Sequence, residues 1–79
     1  MNTEQIHITK RYLSRQIYKA LMGTISTTTL WEFCKLTKLE PTLYKVDSDC
    51  SLYIANILDE QPESESLKNL LTVLYRQLR

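Results

Sequence analysis

The run from Leu67 to Leu78 restricts this chain more than any other part of it, because Leu67, Leu70, Leu71, Leu74 and Leu78 recur at steps of three and four. Such spacing puts them on one side of a helix, and Val73 widens the stripe. Ser64 and Glu65 supply a capping hydroxyl and a negative first turn, while Arg76 and Arg79 make the last turn positive, in line with the helix dipole. A leucine face this regular has to be covered by other helices or by a second copy of itself. A chain of 79 residues forms one domain, residues 1–79, and buries only about 60–65% of the surface that its unfolded form exposes. The stripe is therefore expected to carry more apolar area than so thin a core can hide. Leu67, Leu70, Leu71, Leu74 and Leu78 become the expected contacts to a protein partner or, in a homo-oligomer, to another copy.

Few residues interrupt the backbone. Gly23, Pro41 and Pro62 are the only glycine and prolines, too few turn formers for a β-rich domain of this length. The fold expected is all-α, a small orthogonal or bundle-like domain of four to five short helices. Hydrophobic residues at 43% and charged ones at 24% are an ordinary globular mixture rather than the profile of a disordered chain.

Periodicity places the helices. Ile6, Leu13, Ile17, Ala20 and Leu21 mark one face of a helix from Thr3 to Met22, with Thr3 as its cap and Gly23 as its stop. The hydroxyl-rich segment Thr24–Thr29 reads as a loop whose last threonine caps a second helix, from Leu30 to about Leu39. On that helix Leu30, Phe33, Cys34 and Thr37 share a face, and Trp31 is a partly buried packing residue. Pro41 suits the first position of a third, very short helix over Thr42–Val46, although alternation at Leu43, Lys45 and Asp47 also fits an extended connector. A helix capped by Ser48 or Asp49 carries Cys50, Ile54, Ile57 and Leu58, and Pro62 ends it.

Charge is nearly balanced at +1 but unevenly spread. Up to Lys45 the chain is basic, and from Val46 onward Asp47, Asp49, Asp59, Glu60, Glu63 and Glu65 outnumber the cations. Arg11, Arg15 and Lys19 form a ridge at intervals of four, which calls for something anionic opposite, either a partner or the acidic second half. The N-terminus lacks the apolar core of a signal peptide, and no apolar run approaches a membrane span. A soluble cytoplasmic protein is expected, with no membrane association.

Candidate chemistry is thin. His7 is the only histidine, and a nucleophilic site would have to join it to Cys34 or Cys50 across the fold. The two cysteines fit no zinc spacing and are expected to be buried thiols. Asp47–Ser48–Asp49 opens like a calcium loop but lacks the required glycine, since Leu52 stands there; capping explains these acids better. Glu60, Glu63 and Glu65 are expected in a solvated loop and helix start. One glycine cannot build a phosphate-cradling loop. No enzyme, cofactor or metal site is expected.

Thr29–Val46, "TLWEFCKLTKLEPTLYKV", carries the one family likeness. Leu30–Thr37 supplies a first helix with Cys34 as its small inner residue, Leu39 lies in the turn, and Pro41–Val46 supplies the second. The stretch resembles the helix-turn-helix units of bacterial repressors. The resemblance implies a second helix held in the DNA major groove, with Thr42, Tyr44 and Lys45 as its polar contacts; a transcription regulator built on it would contact phosphates through Arg11, Arg15, Lys19, Lys35, Lys38 and Lys45. Three polar side chains are a small set for reading base edges. The first expectation is accordingly a non-enzymatic regulatory or adaptor protein of bacterial or phage type that binds another protein, and the second is a transcription regulator.

Overall fold

The structure, a computed structural model, describes residues 4–79. Its elements run β1 (Ile6–Ile8), α1 (Lys10–Leu21), α2 (Thr27–Leu39), β2 (Tyr44–Val46), α3 (Ser48–Leu58) and α4 (Glu65–Leu78). The domain is mostly helical, as the breaker count implies, but it is not purely α. Two short strands stand where the sequence was read as the start of one helix and the whole of another.

The strands pair in parallel, with Ile6 opposite Tyr44, His7 opposite Lys45 and Ile8 opposite Val46. Backbone bonds bracket the pair: Ile6 N donates to Leu43 O at 2.8 Å, and Asp47 N donates to Ile8 O at 3.0 Å. Both segments had helical readings, yet each lacks the length to nucleate a helix alone. Isoleucine, tyrosine and valine suit a pleated strand, and each run finds its partner in the other. A two-stranded sheet is marginal by itself, so its inner face is pinned to the helices. Ile8 is fully buried, and Tyr44 meets Phe33 edge-on with centroids 5.9 Å apart. His7 and Lys45 alternate onto the outer face.

Helix α1 consequently starts at Lys10. Thr9 caps it, its Oγ1 accepting from Tyr12 N at 3.0 Å, and the Thr3 cap read from the sequence lies outside the described residues. At the other end, Gly23 N donates to Ala20 O at 3.2 Å and Thr24 N to Lys19 O at 2.9 Å, the paired bonds of a Schellman motif. Gly23 takes φ +79° to make them. Helix α2 begins earlier than expected because Ser26, not Thr29, is its cap: Ser26 Oγ accepts from Thr29 N at 3.0 Å. The threonines occupy the first turn, where their crowding of a preceding turn matters least.

The expected inner faces hold in large part: Phe33 and Leu58 are only partly buried, and Ile6 and Leu21, read into the first face, are exposed. Leu13, Ile17 and Ala20 of α1, Leu30, Cys34 and Thr37 of α2, and Cys50, Ile54 and Ile57 of α3 are buried. Trp31 is partly buried, its Nε1 donating to Glu60 O at 2.9 Å across to the α3–α4 loop. Ser64 caps α4 as read, accepting from Leu67 N at 3.0 Å.

Helices α1 and α4 run antiparallel. Ala20 and Leu21 share a depression with Lys68 and Thr72, whereas Tyr18, one turn earlier on α1, meets Tyr75, later on α4. This packing corrects the expectation for the leucine stripe. Leu67 and Leu71 are fully buried, Leu74 is 3% exposed and Leu78 9% exposed within the single chain, and Leu70 is partly buried against the same core. Facing apolar stripes on α1 and α4, with α2 and α3 alongside, provide the cover that was expected from a companion. None of the described helices is long and apolar enough to cross a membrane.

Candidate functional site

The helix-turn-helix likeness does not survive folding. Beyond Leu39 the chain turns: Glu40 O accepts from Leu43 N at 3.0 Å and from Tyr44 N at 3.1 Å, and the following residues are β2. There is no second helix to enter a groove. Thr42 is exposed in the turn, Tyr44 packs inward on Phe33, and Lys45 lies on the outer sheet face. Three residues read as one recognition surface thus point three ways. The reason is the competing ladder with β1, which no local pattern announces.

The basic candidates also separate. Lys35 extends over the Trp31 ring, its Nζ 5.4 Å from the centroid, and Lys38 edges a groove between α2 and α3. Arg11 and Arg15 are exposed on the outer side of α1, with Lys19 partly buried beside them. Among the described residues the ion pairs are His7–Asp47 and Lys10–Asp49, so the ridge does not meet the acidic half of the chain. Its N-terminal end is costly to the fold, whereas Lys19, in the last turn, suits the dipole. Helix α1 has no acid in its first turn, and cations there oppose the dipole by about 0.3–1 kcal/mol each. Like charges four apart cost roughly 0.2–0.5 kcal/mol more per pair.

His7 Nε2 lies 2.5 Å from Asp47 Oδ1, tying β1 to the residue before α3, and Lys10 Nζ reaches Asp49 Oδ2 at 4.0 Å beside it. The two aspartates of the calcium-like run are thereby turned to separate partners. Cys34 and Cys50 are fully buried. Burial pushes the Cys34 thiol up to about 12; burial, reinforced by Asp49 and Asp47, pushes Cys50 up to about 11. Both shifts disfavour the thiolate that a nucleophile needs. Glu63 accepts from Thr28 Oγ1 at 3.1 Å, and Glu65 sits in the first turn of α4. Among the described residues, no three His, Cys, Asp or Glu side chains converge as metal ligands.

One concave surface is apolar. Thr37 and Lys38 on α2, Val46 at the end of β2, and Ser51, Leu52 and Ala55 on α3 line a groove of about 600 Å³, floored by Ile54. Ser51 and Ala55 are too small to fill it, which leaves the helices open along this side. Leu52 stands at its edge 68% exposed. The sequence reading missed this site, although a signal was present: Leu52 falls off the Cys50–Ile54–Ile57 stripe and has no inward position in the helix. Nearby, Leu36, Leu39 and Leu43 are exposed at the C-terminal end of α2 and the turn that follows.

No protein-family model matches the chain, and no curated protein or solved structure is similar enough to count as a match.

Proposed function

We propose that this chain is a small non-enzymatic adaptor that binds a protein partner in the groove between α2 and α3. The observation that carries the reading is the exposed Leu52 beside an apolar floor of Val46 and Ile54. Large apolar side chains left in water around a concavity mark surfaces that another molecule covers. The fitting occupant is an amphipathic segment presenting apolar anchors at helical spacing. An acidic residue on its flank would face Lys38. The partner role first read into Leu70 and its neighbours thus moves to the opposite side of the core. Burial of Leu67, Leu71, Leu74 and Leu78 within the chain, with Leu70 partly buried beside them, supports placing the partner on another surface.

Selecting displayed peptides on the wild-type protein tests this. Leu52→Asp lies on the surface, where substitutions change stability by only about ±0.5 kcal/mol, so the variant should melt like the parent. Selected peptides are expected to carry apolar anchors, to shift the amide signals of Lys38, Val46, Ser51 and Ala55, and to lose binding to Leu52→Asp. Peptides that bind the variant equally well would overturn the assignment. A native mass that is dimeric in the parent and monomeric in Leu52→Asp would identify the occupant as a second copy.

A further inference from the structure

Every arginine of the chain lies on one surface. Arg11 and Arg15 are exposed on α1, and Arg76 and Arg79 are exposed on α4. Because the two helices are antiparallel neighbours and Tyr75 meets Tyr18, the last turn of α4 lies beside the middle of α1 and its end points towards the N-terminal half of that helix. A pair of tyrosines joins them. The Arg79 guanidinium is 6.0 Å from the Tyr75 ring centroid, and Tyr75 lies 5.6 Å from Tyr18, tilted 37°. Tyr18 is three residues after Arg15 and seven after Arg11, on the same outward face of α1. Its ring is 46% exposed.

The six lysines, in contrast, are scattered over α1, α2, β2 and α4. Among the described residues no arginine has an acidic partner within ion-pair distance. Arg76 and Arg79 complement the dipole of their own helix. Arg11, in the first turn of α1, opposes the dipole of its helix, and Arg11 and Arg15, four apart, repel each other. Exposed cations that burden a helix and find no carboxylate among the described residues are placed to meet an anionic ligand.

We propose that this α1–α4 face binds single-stranded nucleic acid, with phosphates on Arg11, Arg15, Arg76 and Arg79 and a base stacked on Tyr18. Guanidinium forks match phosphate and carboxylate alike, so the arginines alone leave an acidic protein in play. The exposed ring set among them decides for nucleic acid. Bases offer a flat face that stacks on tyrosine, and a single strand leaves those faces open whereas a duplex closes them.

Fluorescence anisotropy with a labelled oligothymidylate at low ionic strength tests the proposal on the full chain. Four phosphate contacts to a single strand give a log–log salt slope of about −3. Arg11→Gln with Arg15→Gln is expected to weaken binding at least about tenfold while leaving the melting temperature equal or higher, because Arg11 opposes the helix dipole and the two like charges repel each other. Tyr18→Ala should cost about tenfold for the oligonucleotide, within the range for one stacked base, and leave inorganic polyphosphate binding unchanged. Lys35→Gln with Lys45→Gln, on α2 and β2, should have no effect. Absence of oligonucleotide binding, equal loss on removing these two lysines, equal affinity for polyglutamate, or an unaltered affinity in Tyr18→Ala would each overturn the assignment.

Discussion

Gly23 shows how one position can be held by backbone conformation alone. An added Cβ would meet no atom within 4 Å, so crowding plays no part. The φ of +79° is the whole constraint, since an L-residue in that region is disfavoured by roughly 1–2 kcal/mol. Gly23→Ala should therefore lower the melting temperature, by about 4–8 °C for each kcal/mol in a domain of this size, with an unchanged helical spectrum. Cys34 carries a pH dependence of definite sign. Its thiol is held up at about 12 from an ordinary 9.0, so the folded state keeps a proton that the unfolded state releases. That contribution is complete below about pH 9 and fades as the pH climbs from there towards 12. Urea midpoints measured at pH 8 and again above 10 should fall more in the parent than in Cys34→Ala, which has no thiol to titrate. At neutral pH neither Cys34 nor Cys50 should react with a thiol reagent until the protein unfolds.

Among the elements, α4 was the most legible and also the most misread. Its cap, length and leucine face follow from periodicity, but periodicity says only that the face is covered, not by what. Antiparallel α1 answers that. Leu71→Ala should cost about 2–5 kcal/mol, a large part of the roughly 4–12 kcal/mol available to a domain of this length, and chemical denaturation will measure it. Helices α2 and α3 were legible to within a few residues for the same reason, with errors confined to the caps: Ser26 rather than Thr29 precedes α2, and Asp47, without a side-chain cap bond, rather than Ser48 or Asp49 precedes α3. The strands were not legible. Ile6–Ile8 fits a helical face as well as a pleated one, and Tyr44–Val46 fits both. The choice is made by pairing between segments far apart in sequence, for which neither segment carries a local sign. The helix-turn-helix reading failed at that point, since it required Tyr44–Val46 to be helical.

At the scale of the whole molecule, the two proposed surfaces lie on different helix pairs. The groove belongs to α2 and α3, the arginine face to α1 and α4, and the core separates them. The sequence carries a sign of only one of them, since Leu52 falls off the apolar stripe of its helix. Tyr18 is conspicuous only after the buried stripes are known, because exposure of a large side chain is a property of the assembled helices. Arg11 and Arg15 were visible as a ridge, but Arg76 and Arg79 looked like helix-dipole partners until α4 was placed alongside α1. Antiparallel contact between the first helix and the last also bears on how the protein comes to be made. While the residues of α4 are still inside the ribosome, Leu13 and Ile17 of α1 lack their principal cover and wait in the open. This domain therefore cannot close until Leu78 has emerged.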